Sequence, residues 1–137
     1  GKQKVVDESK LVERGGLKYE VNSEKPFTGK AVEYWSNGQK KSEDEYQDGK
    51  ENGKGIAWFE NGQKLVEMEL RDGVKNGKEI CWYENGQKCQ EAEYRDGKAI
   101  GRVIIWSKNG QKMSESEWRD GTEVSRIEWD TNGNLIK

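Results

Sequence analysis

Residues 77–100 read GKEICWYENGQKCQEAEYRDGKAI, and this stretch decides the fold. It carries two turn signals, Asn85-Gly86 and Asp96-Gly97, separated by short runs with β-branched and aromatic residues. That combination is the signature of successive β-hairpins. The stretch also repeats. Gly29-Lys30, Gly53-Lys54, Gly77-Lys78 and Gly101-Arg102 stand 24 residues apart, as do the four Asn-Gly-Gln-Lys tetrapeptides beginning at Asn37, Asn61, Asn85 and Asn109. Asp48-Gly49, Asp72-Gly73, Asp96-Gly97 and Asp120-Gly121 keep the same step. A fixed period of this size means an array of one supersecondary unit.

Four full units therefore occupy 29–124. A degenerate hairpin repeat is expected at 11–28, a flexible segment at 1–10, and a half-repeat cap at 125–137, where Asn132-Gly133 arrives one residue early. The expected fold is all-β: a single-layer antiparallel meander of roughly ten strands, built from tandem 24-residue hairpins. Both loops are expected to have three residues, Glu84-Asn85-Gly86 and Arg95-Asp96-Gly97. That choice gathers Ile80, Trp82, Ala92, Tyr94, Ile104, Trp106 and Trp118 on one face. It leaves the Glu-x-Glu pairs on the other, with Trp35, Phe59 and Tyr83.

Composition agrees with a thin structure. Apolar residues are 31% and charged residues 36% of the 137, against ordinary values of roughly 45–50% and about 25%. Leu, Ile, Val and Phe together supply 23 residues, too few for a thick two-layer core. Six Trp and five Tyr, most of them at recurring repeat positions, are too many for a disordered chain. The 24 basic and 26 acidic side chains nearly cancel, so no clustered positive field suits nucleic acid or an anionic lipid surface. The start at Gly1 without Met is read as a tag scar with a native leader cut away, which favours the cell envelope or the exterior over the cytoplasm.

The unit Gly-Lys-x-x-x-Trp-Tyr-Glu-Asn-Gly-Gln-Lys, followed by Glu-x-Glu-Tyr-x-Asp-Gly, resembles the bacterial variant of the MORN repeat. Pro26-Phe27-Thr28-Gly29 is similar to the entry to that family. Bacterial chains of this kind are commonly labelled YwqK-type antitoxins. The resemblance, over about 11–137, implies a twisted sheet of successive hairpins and an interaction module, with no catalytic residues to transfer.

The chemistry points the same way. There is no His, which removes His-based nucleophilic and general-base catalysis and Cys–His zinc sites. The Glu-x-Glu pairs recur at one offset in every unit, as a structural repeat does and a single acid–base pair does not. No enzyme activity, cofactor or metal is expected. Cys81 and Cys89 fall directly opposite each other if the Asn-Gly loop has three residues, which leaves a disulfide open, although two half-buried thiols are the favoured reading. A single-layer sheet cannot bury both faces. Trp35, Phe59 and Tyr83 with Glu67 and Glu91 are therefore the candidate surface for a cationic or aromatic-rich protein partner. Outer strand edges offer self-association. The leading function is non-catalytic protein binding, extending to antitoxin-like neutralisation. The alternative is an envelope or cell-wall adhesion module that holds a glycan or surface ligand between aromatics.

Overall fold

The computed structural model describes residues 3–136. Its strands are β1 (Val5–Asp7), β2 (Leu11–Arg14), β3 (Leu17–Glu20), β4 (Gly29–Tyr34), β5 (Lys40–Gln47), β6 (Lys50–Trp58), β7 (Lys64–Arg71), β8 (Val74–Trp82), β9 (Lys88–Arg95), β10 (Lys98–Trp106), β11 (Lys112–Arg119) and β12 (Thr122–Glu128). One ten-stranded sheet runs β1-β4-β5-β6-β7-β8-β9-β10-β11-β12, and β2-β3 form a separate two-stranded sheet. From β4 onward every neighbour is antiparallel and consecutive in the chain. The fold is the all-β meander of hairpin repeats.

Each loop has a local cause. Tyr83 N–H donates to Gln87 O at 2.8 Å and Gly86 N–H to Tyr83 O at 3.0 Å, which closes the three-residue loop Glu84–Gly86. Gly86 sits at φ +89°, where a Cβ would be strained, so glycine must follow the asparagine. The second loop departs from expectation. Arg95 pairs directly with Lys98, leaving the two residues Asp96 (φ +50°) and Gly97 (φ +84°). Both central residues lie at positive φ, the turn whose twist matches the flanking strands.

Bulges then decide the faces. Cys81 pairs with Gln90 but Trp82 with Lys88, so Cys89 is an extra residue. On the far side of the turn, Glu93 pairs with Ile100 and Glu91 with Ile104, which places two extra residues on β10. The one-residue bulge beside the Asn-Gly turn inverts every side chain beyond it. The expected segregation of an apolar face from a Glu face is therefore overturned. A single row crosses the sheet on one face as Val32, Glu43, Ile56, Glu67, Ile80, Glu91, Ile104, Glu115 and Ile127, aliphatic and acidic by turns. The opposite face carries Ala31, Tyr46, Met68, Leu70, Ala92, Tyr94, Val103 and Trp118. The early fifth turn has its cause here too. β12 bulges by one residue at Val124, where the preceding units bulge by two, and it lacks their glycine.

Two spines of hydrogen bonds join the units. Along one edge, Asn37, Asn61 and Asn85 each donate Nδ2–H to the turn carbonyl of the next unit, Glu60 O, Glu84 O and Lys108 O, at 2.9, 3.1 and 2.8 Å. Along the other, Gly49, Gly73, Gly97 and Gly121 donate N–H to Phe27, Glu51, Lys75 and Ala99 carbonyls at 2.8–2.9 Å. The turn signals are thus both loop formers and inter-unit fasteners.

The N-terminal region is the main topological surprise. Residues 5–10, expected within a flexible segment, form β1, paired parallel to β4, and a 3₁₀ turn at Glu8–Lys10. The β2–β3 hairpin leaves the meander and, with Phe27, folds over the second face of the first unit. Leu11, Phe27, Ala31 and Tyr46 make the one buried apolar cluster there, with Val6 against it. Asp44 lies half-buried on this face beside Gly55. Burial, reinforced by the charges of Glu51, Glu8, Glu43 and Glu33, pushes its carboxyl up to about 7.

The sign of the pH effect follows. Between pH 4 and pH 7 the folded state binds more protons than the unfolded chain, so stability falls as pH rises through that window and is level above it. Solvent screening at a half-exposed group reduces the full linkage value to roughly 1–2 kcal/mol. Asp44→Asn is accordingly expected to stabilise the protein by that amount at pH 8 and to change little at pH 4, read from urea midpoints at both.

Candidate functional site

The first face is a comb of ion pairs. The one-residue bulge brings the lysine that ends each Asn-Gly-Gln-Lys tetrapeptide onto the same side as the glutamate three positions later, a spacing that would otherwise put them on opposite faces. Lys40 reaches Glu43 at 3.1 Å, Lys64 reaches Glu67 at 3.2 Å, Lys112 reaches Glu115 at 2.7 Å, and Lys88 contacts Glu91. A second cation clamps several of these acids from the neighbouring strand: Lys30 on Glu43 at 3.4 Å, Lys54 on Glu67 at 3.6 Å, Arg102 on Glu115 at 3.7 Å. The hydrogen bond from Lys112 holds the Glu115 carboxyl below its usual range. Glu67 and Glu91, expected to face a partner, are therefore committed within the chain. Exposed pairs of this kind contribute little stability each. Their main effect is to shield the isoleucine row with lysine and glutamate methylenes.

The lysines also occupy the tryptophans. Lys40 Nζ lies 5.8 Å over the Trp58 ring and Lys64 Nζ 5.8 Å over Trp82, while Lys112 covers Trp129 at 5.9 Å. These are cation–π contacts that leave less ring surface for a ligand.

Trp35, Phe59 and Tyr83 occupy one repeat position at the Asn-Gly edge, each half-buried, rather than a patch with Glu67 and Glu91. Lys41 stands 4.9 Å over Trp35 and 3.5 Å from Glu33, which places that tryptophan on the second face. Two of the three spend their polar atoms on the next unit. Trp35 Nε1–H donates to Trp58 O at 3.1 Å, and the Tyr83 hydroxyl to Trp106 O at 2.7 Å. Phe59 has no donor for the equivalent carbonyl. Tyr83→Phe is therefore expected to lower stability by about 1 kcal/mol, the net value of a neutral hydrogen bond, in a urea titration. An unchanged midpoint would show that this bond fastens nothing.

Cys81 and Cys89 are joined, with Sγ atoms 1.99 Å and Cα atoms 5.4 Å apart, in contrast to the favoured reading of two thiols. They are not directly opposite. Cys89 is the bulge residue, and the bulge turns it toward the face Cys81 occupies. The same pair of positions holds the Glu33–Lys41 ion pair in the first unit, and Ala57 with Leu65 and Ile105 with Met113 in the second and fourth.

The second face carries further candidate residues, among them Leu65 and Met113, which the sequence reading did not place. Over the first unit this face is closed by the N-terminal hairpin, with Leu17 Cβ 2.9 Å from where a Cβ on Gly49 would lie. At the equivalent Gly73 nothing lies within 4 Å. From β7 onward no second sheet pairs over this face among the described residues; Met113 is 41% exposed there, and Leu65, Met68, Leu70, Tyr94 and Trp118 are half-buried. The signal for this was the recurrent Lys-x-x-Glu spacing, which is compatible with an ion pair in a strand only if a bulge intervenes. Among the described residues no three His, Cys, Asp or Glu gather as a metal ligand set.

No curated protein matches the chain. Residues 27–48 and 75–96, two segments in the same phase of the repeat, match the family model of the MORN repeat variant, a non-enzymatic family whose repeats are generally protein- or membrane-binding modules.

Proposed function

We propose that the chain is a non-catalytic protein-binding repeat module that receives its partner on the second face of the last three units. The observation that carries this reading is the unequal cover of that face. The chain's own hairpin closes the first unit with Leu11 and Phe27, while on the following units no strand among the described residues pairs over the same face, Met113 is exposed, and Met68, Tyr94 and Trp118 are half-buried. Partly exposed apolar and aromatic side chains gathered on one face are what a protein interface uses. Neutralisation of a toxin-like protein is the finer form of the proposal. The glycan-adhesion reading is disfavoured, because lysine ammonium groups already cover the Trp58 and Trp82 rings. The Cys81–Cys89 bridge suits an oxidising setting, the envelope or the exterior.

The test is capture from fractions of the source cell with three baits: the native chain, Leu65→Glu/Met113→Glu on the second face, and Glu67→Gln/Glu91→Gln on the first. One protein held by the native and first-face baits and lost from the second-face bait supports the proposal. Loss from the first-face bait alone moves the surface to the ion-pair comb. Retention on glycan with no protein enriched refutes it.

A further inference from the structure

We infer that Asn109 is a site of spontaneous deamidation, set apart by the structure from three asparagines in the same sequence motif. Asn37, Asn61, Asn85 and Asn109 are each followed by Gly-Gln-Lys, so the chain just downstream has the same intrinsic reactivity at all four. The reaction begins when the glycine backbone nitrogen loses its proton to base and attacks the asparagine Cγ. The new C–N bond closes a five-membered imide as the Cγ–Nδ2 bond breaks and the nitrogen leaves as ammonia. Water then opens the ring to aspartate or isoaspartate. The net change is one water consumed and one ammonia released.

Two features separate Asn109. At the other three sites the side chain is held at both ends: Oδ1 accepts the N–H of the glutamine two residues on at 2.9 Å, and Nδ2 donates to the carbonyl of the next turn. Departure of Nδ2 as ammonia requires its bond to the next turn to break. The spine stops at Asn109. The missing residue in β12 shifts the fifth turn, and among the described residues no carbonyl receives the Asn109 Nδ2. Its Oδ1 still accepts the Gln111 N–H, at a longer 3.2 Å, while the amide nitrogen is left without that fastening.

The second feature is chemical. The position held by Trp35, Phe59 and Tyr83 is Ser107 in this unit, and the Ser107 hydroxyl donates to Asn109 Oδ1. Negative charge develops on that oxygen as Gly110 N attacks, so a donor already in place stabilises the tetrahedral intermediate. Loss of one neutral hydrogen bond corresponds to about fivefold in an opening equilibrium. The hydroxyl adds to that.

The experiment incubates the folded, oxidised chain at mildly alkaline pH and follows deamidation of each tryptic peptide by mass spectrometry, with Asn132 in the terminal turn read separately. Asn109 is expected to convert about fivefold or more faster than Asn37, Asn61 and Asn85. In denaturing urea the four rates are expected to converge. Ser107→Ala, at a half-exposed position that tolerates a small side chain, is expected to slow Asn109 severalfold and leave the other three unchanged. Equal rates in the folded chain would overturn the inference. A preference for Asn109 that persists in urea would also do so, because local sequence would then be its cause. An unchanged Asn109 rate in Ser107→Ala would remove the hydroxyl's role.

Discussion

Gly77→Ala is expected to lower the free energy of unfolding by about 3 kcal/mol. Gly77 is the middle residue of the β8 bulge opposite Glu69, at φ +126°, a region that side chains other than glycine's hydrogen rarely enter. A Cβ there would lie 2.0 Å from Glu69 Oε2 and 3.0 Å from Glu69 Cβ. The carboxylate can move, but it would give up the N–H of Lys78, which it accepts at 3.2 Å. The Glu69 Cβ cannot move without its strand. Gly101 is the control. It holds the same repeat position at φ +70°, and a methyl group there would meet nothing within 4 Å, so Gly101→Ala is expected to cost only the left-handed strain of about 1–2 kcal/mol. Urea midpoints followed by tryptophan fluorescence give both values. Equal costs would mean that backbone strain alone, and not the approach of Glu69, fixes the glycine.

Reduction of the Cys81–Cys89 bond is expected to cost roughly 2–3 kcal/mol, the loop-closure entropy of a short cross-link. The two residues are eight apart in sequence, and the Asn-Gly turn lies between them. The fold itself should survive. Ala57 with Leu65, and Ile105 with Met113, hold the same corner without a bond, and the two spines pass through other residues. The measurement compares urea titrations with and without reductant, beside Cys81→Ser/Cys89→Ser, whose midpoint should not change with reductant. Thiol titration of the denatured, unreduced chain should find none free. Two reactive thiols per chain would sink the prediction and leave the hairpin to packing alone.

The acidic and aromatic residues singled out from sequence have neighbours in the folded chain that the repeat pattern does not display. Glu67 and Glu91 looked available because alternation seemed to set them apart from lysine. In the folded chain Lys64 and Lys88 lie on their side of the sheet. Trp35 and Tyr83 looked exposed because a single layer cannot bury both faces. They reach along the edge instead and bind Trp58 and Trp106 carbonyls of the next unit. In both cases the partner is distant in the repeat or displaced by a bulge, and no one strand's pattern displays it.

What the sequence determined by itself is whatever depends on one turn at a time. Asn-Gly and Asp-Gly at a constant 24-residue step dictate hairpins, their number and their consecutive antiparallel order, because positive φ at the turn is a local property of those residues. Tertiary structure decided the rest. Bulge placement depends on contacts between strands, such as Gly77 beside Glu69, and a single extra residue reverses every side chain beyond it. The closing of the first unit by β2, β3 and Phe27 likewise depends on a long-range fit to Ala31 and Tyr46. Periodicity reports where the chain turns. Which way a side chain then points is settled only when the neighbouring strand is in place.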